Sequence, residues 1–465
     1  DSYNTAVGFT AGASITTGVS NTLIGGLAGD ALTDADFNVA IGVVALSTDT
    51  KGSKSIAIGH NTLNSQNFTT STDTHNIAIG FQAGTGITTG VRNVLIGGLA
   101  GDALTDADKN VAVGYSALTA DTLGSRSVAI GHDALQAQNF TTATDSLNTA
   151  VGDSAGLSVT TGVNNTFLGA RAGDAFTDAD RNTALGRSAL TTDTLGSRSV
   201  AVGYGVLQNQ NFTTATNTYN VAVGYDAGAS VTTGVQNTFL GALAGDAITD
   251  ADGNVALGYL ALTSNTVGSN SVAVGGAALQ VQNPATATDM YNVAVGHQAG
   301  KAVTTGIENT FIGGLAGDAL TAVFYNVALG AKALSADTLG SRSTAIGRAA
   351  LSAQNFTTAT DTYNTAVGFN AGALVTTGIH NTLIGGIAGD ALTDADQNVA
   401  VGYNALASDT LGSASVAIGF SALGSQNFTT AASSVNTAVG YSAGGSVSTG
   451  AARLSRWRPC GHIYW

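Results

Sequence analysis

Apolar residues come in short bursts, each led by a small polar residue and closed by glycine: "NTAVG" at 4–8, "NTLIG" at 21–25, "NVAIG" at 38–42 and "SIAIG" at 55–59. Each burst is too short for a helix and rich in β-branched residues, which predicts a brief strand with a glycine corner behind it. The phrase N-[T/V/I]-A-[V/I/L]-G restarts at Asn4, Asn76, Asn148, Asn220, Asn292, Asn364 and Asn436, a step of 72 residues. Inside a unit it recurs at Asn21, Asn38 and Ser55, giving spacings of 17, 17, 17 and 21. A period of 17 is too short for a helical-hairpin repeat but suits one coil of a parallel β-solenoid. The predicted fold is all-β: a parallel β-solenoid, or β-roll, of 17-residue coils in a 72-residue superrepeat, continuous over residues 1–450. About 26 coils at a strand spacing of about 4.8 Å would make a rod of roughly 120 Å.

Within "NVAIG", Val39 and Ile41 point to one face and Ala40 to the other. Both faces are apolar, as in strands covered on both sides. A thin solenoid has one interior, so the second face predicts contact with another layer of its own chain or with further copies, most simply in a homotrimeric fibre or a filament. The alanine face is the one expected to approach a symmetry axis. In the second coil of each unit its place is taken by Leu23, Leu95, Phe167, Phe239, Phe311 or Leu383.

"SVAIGHDAL" at 127–135 and "SIAIG" at 55–59 resemble the head repeats of trimeric autotransporter adhesins. "NTAVGYSAG" at 436–444 and "NTFLGARAGDAF" at 165–176 resemble the shaft repeats of bacteriophage tail fibres. The adhesin resemblance implies a left-handed trimeric β-roll. Together the two imply an extracellular, cell-surface or virion location and a structural or adhesive role, with a cell-surface or glycan receptor as partner. The coil is longer than the adhesin head repeat, and neither a coiled-coil stalk nor a membrane anchor is visible.

Composition narrows the alternatives. A hydrophobic content of 44% argues against disorder, and charged residues at 10% are far below the usual quarter of a globular domain. The net charge of −14 is carried by aspartate, with Glu308 the single glutamate, and no basic stripe stands out before the last fifteen residues. Nucleic acid is therefore not an expected partner. Cys460 is the only cysteine, so no intrachain disulfide is expected. No apolar run approaches the roughly 18 residues of a membrane span, so no membrane insertion is expected. The opening "DSYNTAVG" matches "DTYNTAVG" at 361–368 and reads as an internal point of a longer or processed polypeptide.

Repetition produces many equivalent polar groups rather than one convergent set, which argues against an enzyme. His60 and His132 follow the corner glycine, but Tyr204 and Arg348 hold the same position elsewhere. A hexapeptide acyltransferase fails on register, because Asp30 and Asp36 stand six and twelve residues after Ile24. The "TTG" stretches at Thr16, Thr88, Thr160, Thr232, Thr304 and Thr376 come once in four coils, too sparse for an ice-binding face.

The strongest candidate site is "GDALTDAD". Asp30, Asp34 and Asp36 recur as Asp102, Asp106, Asp108; Asp174, Asp178, Asp180; Asp246, Asp250, Asp252; and Asp390, Asp394, Asp396. Such carboxylates suit calcium, or else cap turns and solubilise an apolar rod with no cofactor. Unit five departs from the pattern, with Ala322 and Phe324 in place of the later aspartates.

The longer fourth coil carries "QNFTTATDT", expected as a protruding loop, with Asn67, Asn139, Asn211, Asn355 and Asn427 heading N-F-T sequons. A glycan-binding module is the competing reading, resting on exposure of Phe140 and Phe212. The tail at 451–465 breaks the repeat and holds both Trp residues, reading as a frameshift or assembly end.

Overall fold

The computed structural model describes residues 2–456. Among these the regular structure is β only, in coils of 17 residues and, once per unit of four, 21. The chain forms two compact units, residues 1–236 and 237–465, built on one plan. Each holds thirteen three-residue strands among its described residues.

In the first unit Thr22–Ile24 lies parallel between Thr5–Val7 and Val39–Ile41, with Leu23 opposite Ala6 and Ala40. In the second, Thr382–Ile384 lies between Thr365–Val367 and Val399–Val401 with Leu383 opposite Ala366 and Ala400. The four extra residues of the longer coil do not disturb the register, since Ile56 still faces Ile77. They make a second small parallel pairing, Gly52–Ser53 with Thr72–Asp73, repeated at Gly340–Ser341 with Thr360–Asp361.

The corner glycine is required by its neighbour in the next coil. Gly42 has φ +138°, and a Cβ there would lie 2.3 Å from the carbonyl oxygen of Gly59. No other residue tolerates both conditions.

The interior corrects the expected assignment of faces. Ala40 and Ala57 are fully buried inside their own coils, while Val39, Ile41, Ile56 and Ile58 stand on the outside, half-buried. The alanine column is therefore the core and cannot approach a symmetry axis. Size, not polarity, separates the faces, because a coil of 17 residues encloses little volume.

That volume is filled by complementary choices along the stack. In coil two the strand centre is Leu23, whose methyls fill the space a Cβ at Gly12 or Gly29 would need, at 2.8 Å in each case. In coils three and four the strand centre is alanine, and the glycine positions become Leu46 and Leu63, fully buried with φ of 52° and 49°. A left-handed leucine costs about 1–2 kcal/mol of backbone strain, offset by the about 1.5–3 kcal/mol of burying its side chain.

A polar spine runs beside the alanine column. Asn38 donates its side-chain amide to the Gly52 carbonyl and its oxygen accepts from the Ser55 backbone, at 2.9 and 2.8 Å. Asn21 and Asn38 are linked the same way, so the leading asparagine of each phrase satisfies buried backbone groups coil after coil. Where the fourth coil has Ser55, Gln66 takes over, accepting from Asn76 at 2.9 Å and donating to Asp49 and Ser55.

Candidate functional site

The aspartate turns lie on exposed ends of the coils, and their three carboxylates face different neighbours. Asp106, Asp178 and Asp394 each accept from the hydroxyl of Thr89, Thr161 or Thr377 at 2.6 Å, and Asp34 accepts from Thr17. Asp36, Asp108, Asp180 and Asp396 each accept from the backbone N–H of Val19, Val91, Val163 or Ile379 at 2.8 Å. Asp102, Asp174 and Asp246 accept from Thr119, Thr191 and Thr263 one coil on. Asp30 and Asp390 have one buried oxygen without a partner, as does Asp318. Burial pushes the Asp318 and Asp390 carboxyls above the usual range. Asp250 accepts from Thr249 at 3.1 Å. Among the described residues no three acidic, histidine or cysteine side chains converge as a metal-holding group. In unit five the turn persists with Phe324 in the aspartate position, its N–H donating to Ser341 Oγ at 3.1 Å.

The long fourth coil protrudes less than expected. Phe140 and Phe212 are 5% and 6% exposed, so the loop aromatics are anchors rather than a binding face. Residues 69–71 beyond Phe68 are exposed. Asn67, Asn139, Asn211 and Asn355 are exposed and Asn427 half-buried. Each accepts a hydroxyl hydrogen bond from the preceding coil, as Asn139 does from Thr122 at 3.1 Å. Thr16 heads a column continued by Thr33 and Thr50 in the next two coils, but Thr33 and Thr50 donate to backbone carbonyls within the turns.

The exposed chemistry is concentrated on the outer sheet face. Its middle is a mixed column of valine, isoleucine and threonine at the first strand position and an aliphatic column at the third, with Ile96, Ile130, Leu168 and Leu185 among the exposed members of the latter in the first unit and Leu240, Ile312, Leu329 and Ile384 in the second. On one edge, two residues ahead of each strand, Lys54, His75, Arg92, Lys109 and Arg126 stand in successive coils. This is a basic column that the sequence spacing had hidden. Lys54 and Arg126 are paired with Asp73 and Asp145 at 2.6 and 2.9 Å.

On the other edge, two residues past each strand, runs a column rich in exposed rings that includes His60 and His132. Neighbouring rings stack face to face: Tyr204 on Tyr225 at 5.6 Å and 7°, Phe420 on Tyr441 at 5.2 Å and 8°. His132 stacks on Tyr115 and pairs with Asp133 at 3.1 Å.

A cavity in the second unit is lined by Asn404, Ser421, Gly424, Ser425, Ser442, Gly445 and Ser446, which bring no carboxylate, imidazole or thiol together. The strand Leu454–Arg456 pairs with Thr437–Val439, so the stacking continues into the first residues of the atypical tail. Both Trp residues and Cys460 lie outside the described residues. No helix among the described residues is long and apolar enough to cross a membrane. No protein-family model matches the chain, and no curated protein matches it.

Proposed function

We propose that the protein is a structural shaft of an extracellular appendage, a surface adhesin or filament, whose copies associate side by side through the outer sheet face. The observation that carries this reading is the exposed aliphatic column at the third position of the strands, flanked by a mixed valine, isoleucine and threonine column at the first, in both units. Full burial of one aliphatic side chain corresponds to about 60–120 Å². About twenty such side chains per unit, each about a third exposed, present on the order of 600 Å² of apolar surface. A soluble monomer ordinarily shows a largest patch of about 300–600 Å², and a standard interface takes about 800 Å² from each partner. A homotrimer is the simplest closed assembly for such a fibre. The bacteriophage tail-fibre shaft is the second reading, with the same physics and a virion location.

The test is the oligomeric state. Ile96→Asp with Leu168→Asp and Leu185→Asp places carboxylates on the columns while leaving the interior alone. The wild-type chain is expected to sediment as a multimer and the triple variant as a monomer with unchanged β-type circular dichroism. A monomeric wild type would end the reading. Immunogold labelling of intact source cells and of purified virions then separates the two locations.

A further inference from the structure

The ring column has gaps. In the first unit Phe81 and Tyr115 flank Gly98, and in the second Tyr259 and His297 flank Gly276 and Phe369 and Tyr403 flank Gly386. The flanking rings are exposed, Phe81 and Tyr115 at 55% each. Adjacent rungs elsewhere lie nearly parallel, at 14° for His60 on Phe81 and 21° for Tyr403 on Phe420. A missing rung therefore leaves two ring faces two coils apart, about 9.6 Å from the strand spacing.

The fold does not demand glycine at these positions. Unlike the corner glycines, none of the three has a left-handed φ, and a Cβ at each would meet its nearest atom at 3.4 Å, ordinary contact with Tyr115, His297 or Tyr403. Other coils carry Tyr204, Tyr225 or Phe420 at the equivalent place. Glycine here opens a space between ring faces instead of shaping the backbone.

From this geometry we infer that the three gaps are binding slots for a neutral hexopyranose ring, making the edge of the sheet a contact site for an uncharged polysaccharide. The inference goes beyond the shaft reading and does not depend on it. Where the rung is present one ring fills such a space, as Phe420 does between Tyr403 and Tyr441 at 5.5 and 5.2 Å. A pyranose ring is of similar size and presents axial hydrogens on both faces. Its polarised C–H groups meet the negative faces of the aromatic walls. Four of the six walls are followed by half-buried amides, Gln82, Gln298, Asn370 and Asn404, a side-chain class that both donates to and accepts from hydroxyls, while Ser116 and Leu260 follow Tyr115 and Tyr259. No lysine or arginine forms a wall or floor of any slot, so the recognised sugar is uncharged. Gly276 and Gly386 are six coils apart, about 29 Å along the stack, so one polysaccharide chain reaching both gains avidity from weak single contacts.

Filling the missing rungs tests the inference. Gly98→Tyr, Gly276→Tyr and Gly386→Tyr, combined in one chain, complete the column with a residue the column already holds elsewhere, and thermal melting checks that the fold is kept. Binding of cellohexaose and of maltohexaose is followed by titration calorimetry and by perturbation of tyrosine fluorescence. The wild-type chain is expected to bind at least one of the two, and the filled variant to bind it at least tenfold more weakly. Should the filled variant fail to fold, Tyr115→Ala with Tyr403→Ala, which removes one wall from each of two slots, is expected to give the same loss. Failure of the wild type to bind either hexasaccharide, or equal binding by the filled variant, overturns the inference. So does loss of a wild-type multimer on filling without loss of sugar binding, which would assign the slots to side chains of a second copy.

Discussion

Gln138 Nε2 donates to Asp121 Oδ2 at 2.6 Å in the interior of the solenoid, where both residues are fully buried. The other oxygen of this carboxylate accepts from the backbone N–H groups of Gly124 and Phe140 at 3.0 and 3.1 Å. Asp193 is held in the same way by Gln210, Gly196 and Phe212.

Burial pushes the Asp121 and Asp193 carboxyls above their ordinary value of 3.8, against the pull of those hydrogen bonds. The folded chain binds these protons more tightly than the unfolded chain. Their contribution to stability is therefore fullest below 3.8 and is lost as pH rises through the raised values. The melting temperature of Asp121→Asn/Asp193→Asn is expected to fall less steeply than that of the wild type as pH is raised across this window. Equal slopes would contradict the assignment. Asp73 acts in the opposite sense, because its hydrogen bond from Lys54 lowers its pKa, but it is exposed and screened.

The fourth unit holds a natural control. Pro284 stands where other units have phenylalanine, so one of the N–H donors to the buried carboxylate is missing, and the acid itself has become Asn265. Asn265 accepts from Gly268 N–H at 2.9 Å and donates to the Gly268 carbonyl at 2.7 Å, leaving no orphan. Asn265→Asp is expected to destabilise by about 1–3 kcal/mol, since a buried carboxylate short of one donor replaces a satisfied amide. Chemical denaturation at neutral pH measures it.

The two kinds of glycine in "GG" should respond in opposite ways. Gly97 has φ +139°, and a Cβ would lie 2.3 Å from the Gly114 carbonyl oxygen, so Gly97→Ala is expected to destabilise by about 2–4 kcal/mol. Gly98→Ala, with nothing closer than 3.4 Å, is expected to change stability by less than about 1 kcal/mol. Thermal melts of the two neighbours decide the matter directly.

The aspartate turns are expected to work without metal, because most of their carboxylates already accept from a threonine hydroxyl or a backbone N–H in a neighbouring coil. Chelation should leave the melting temperature unchanged. Asp108→Ala should lower stability by about 1 kcal/mol by unpairing the Val91 N–H. A melting temperature that drops with chelator and recovers with calcium would restore the metal reading.

Strands, corners and coil length were legible because glycine and β-branched residues recur with a fixed spacing, and that spacing alone fixes parallel stacking. The inside and outside of the strand were not. Ala40 and Ile41 are both apolar, and only the small enclosed volume decides that alanine turns inward. Whether Phe140 and Phe212 face solvent was not legible for a related reason: an aromatic among threonines is placed only when the folded loop closes over it. The basic and ring columns escaped notice because their members stand 17 or 21 residues apart in the chain and one coil apart in space.

The fit of Leu23 between Gly12 and Gly29, and of Phe167 beside Gly173, has a consequence for inheritance. A single coil cannot be inserted or lost without setting two bulky side chains against each other or leaving a hole. Four coils can, because unit ends are alike in shape and hydrogen bonding. Unequal exchange between copies of the repeat would therefore alter the chain in steps of 72 residues, each adding or removing about 19 Å of stack while every surviving contact is kept. Reach becomes a countable trait, tuned by copy number instead of by point substitution.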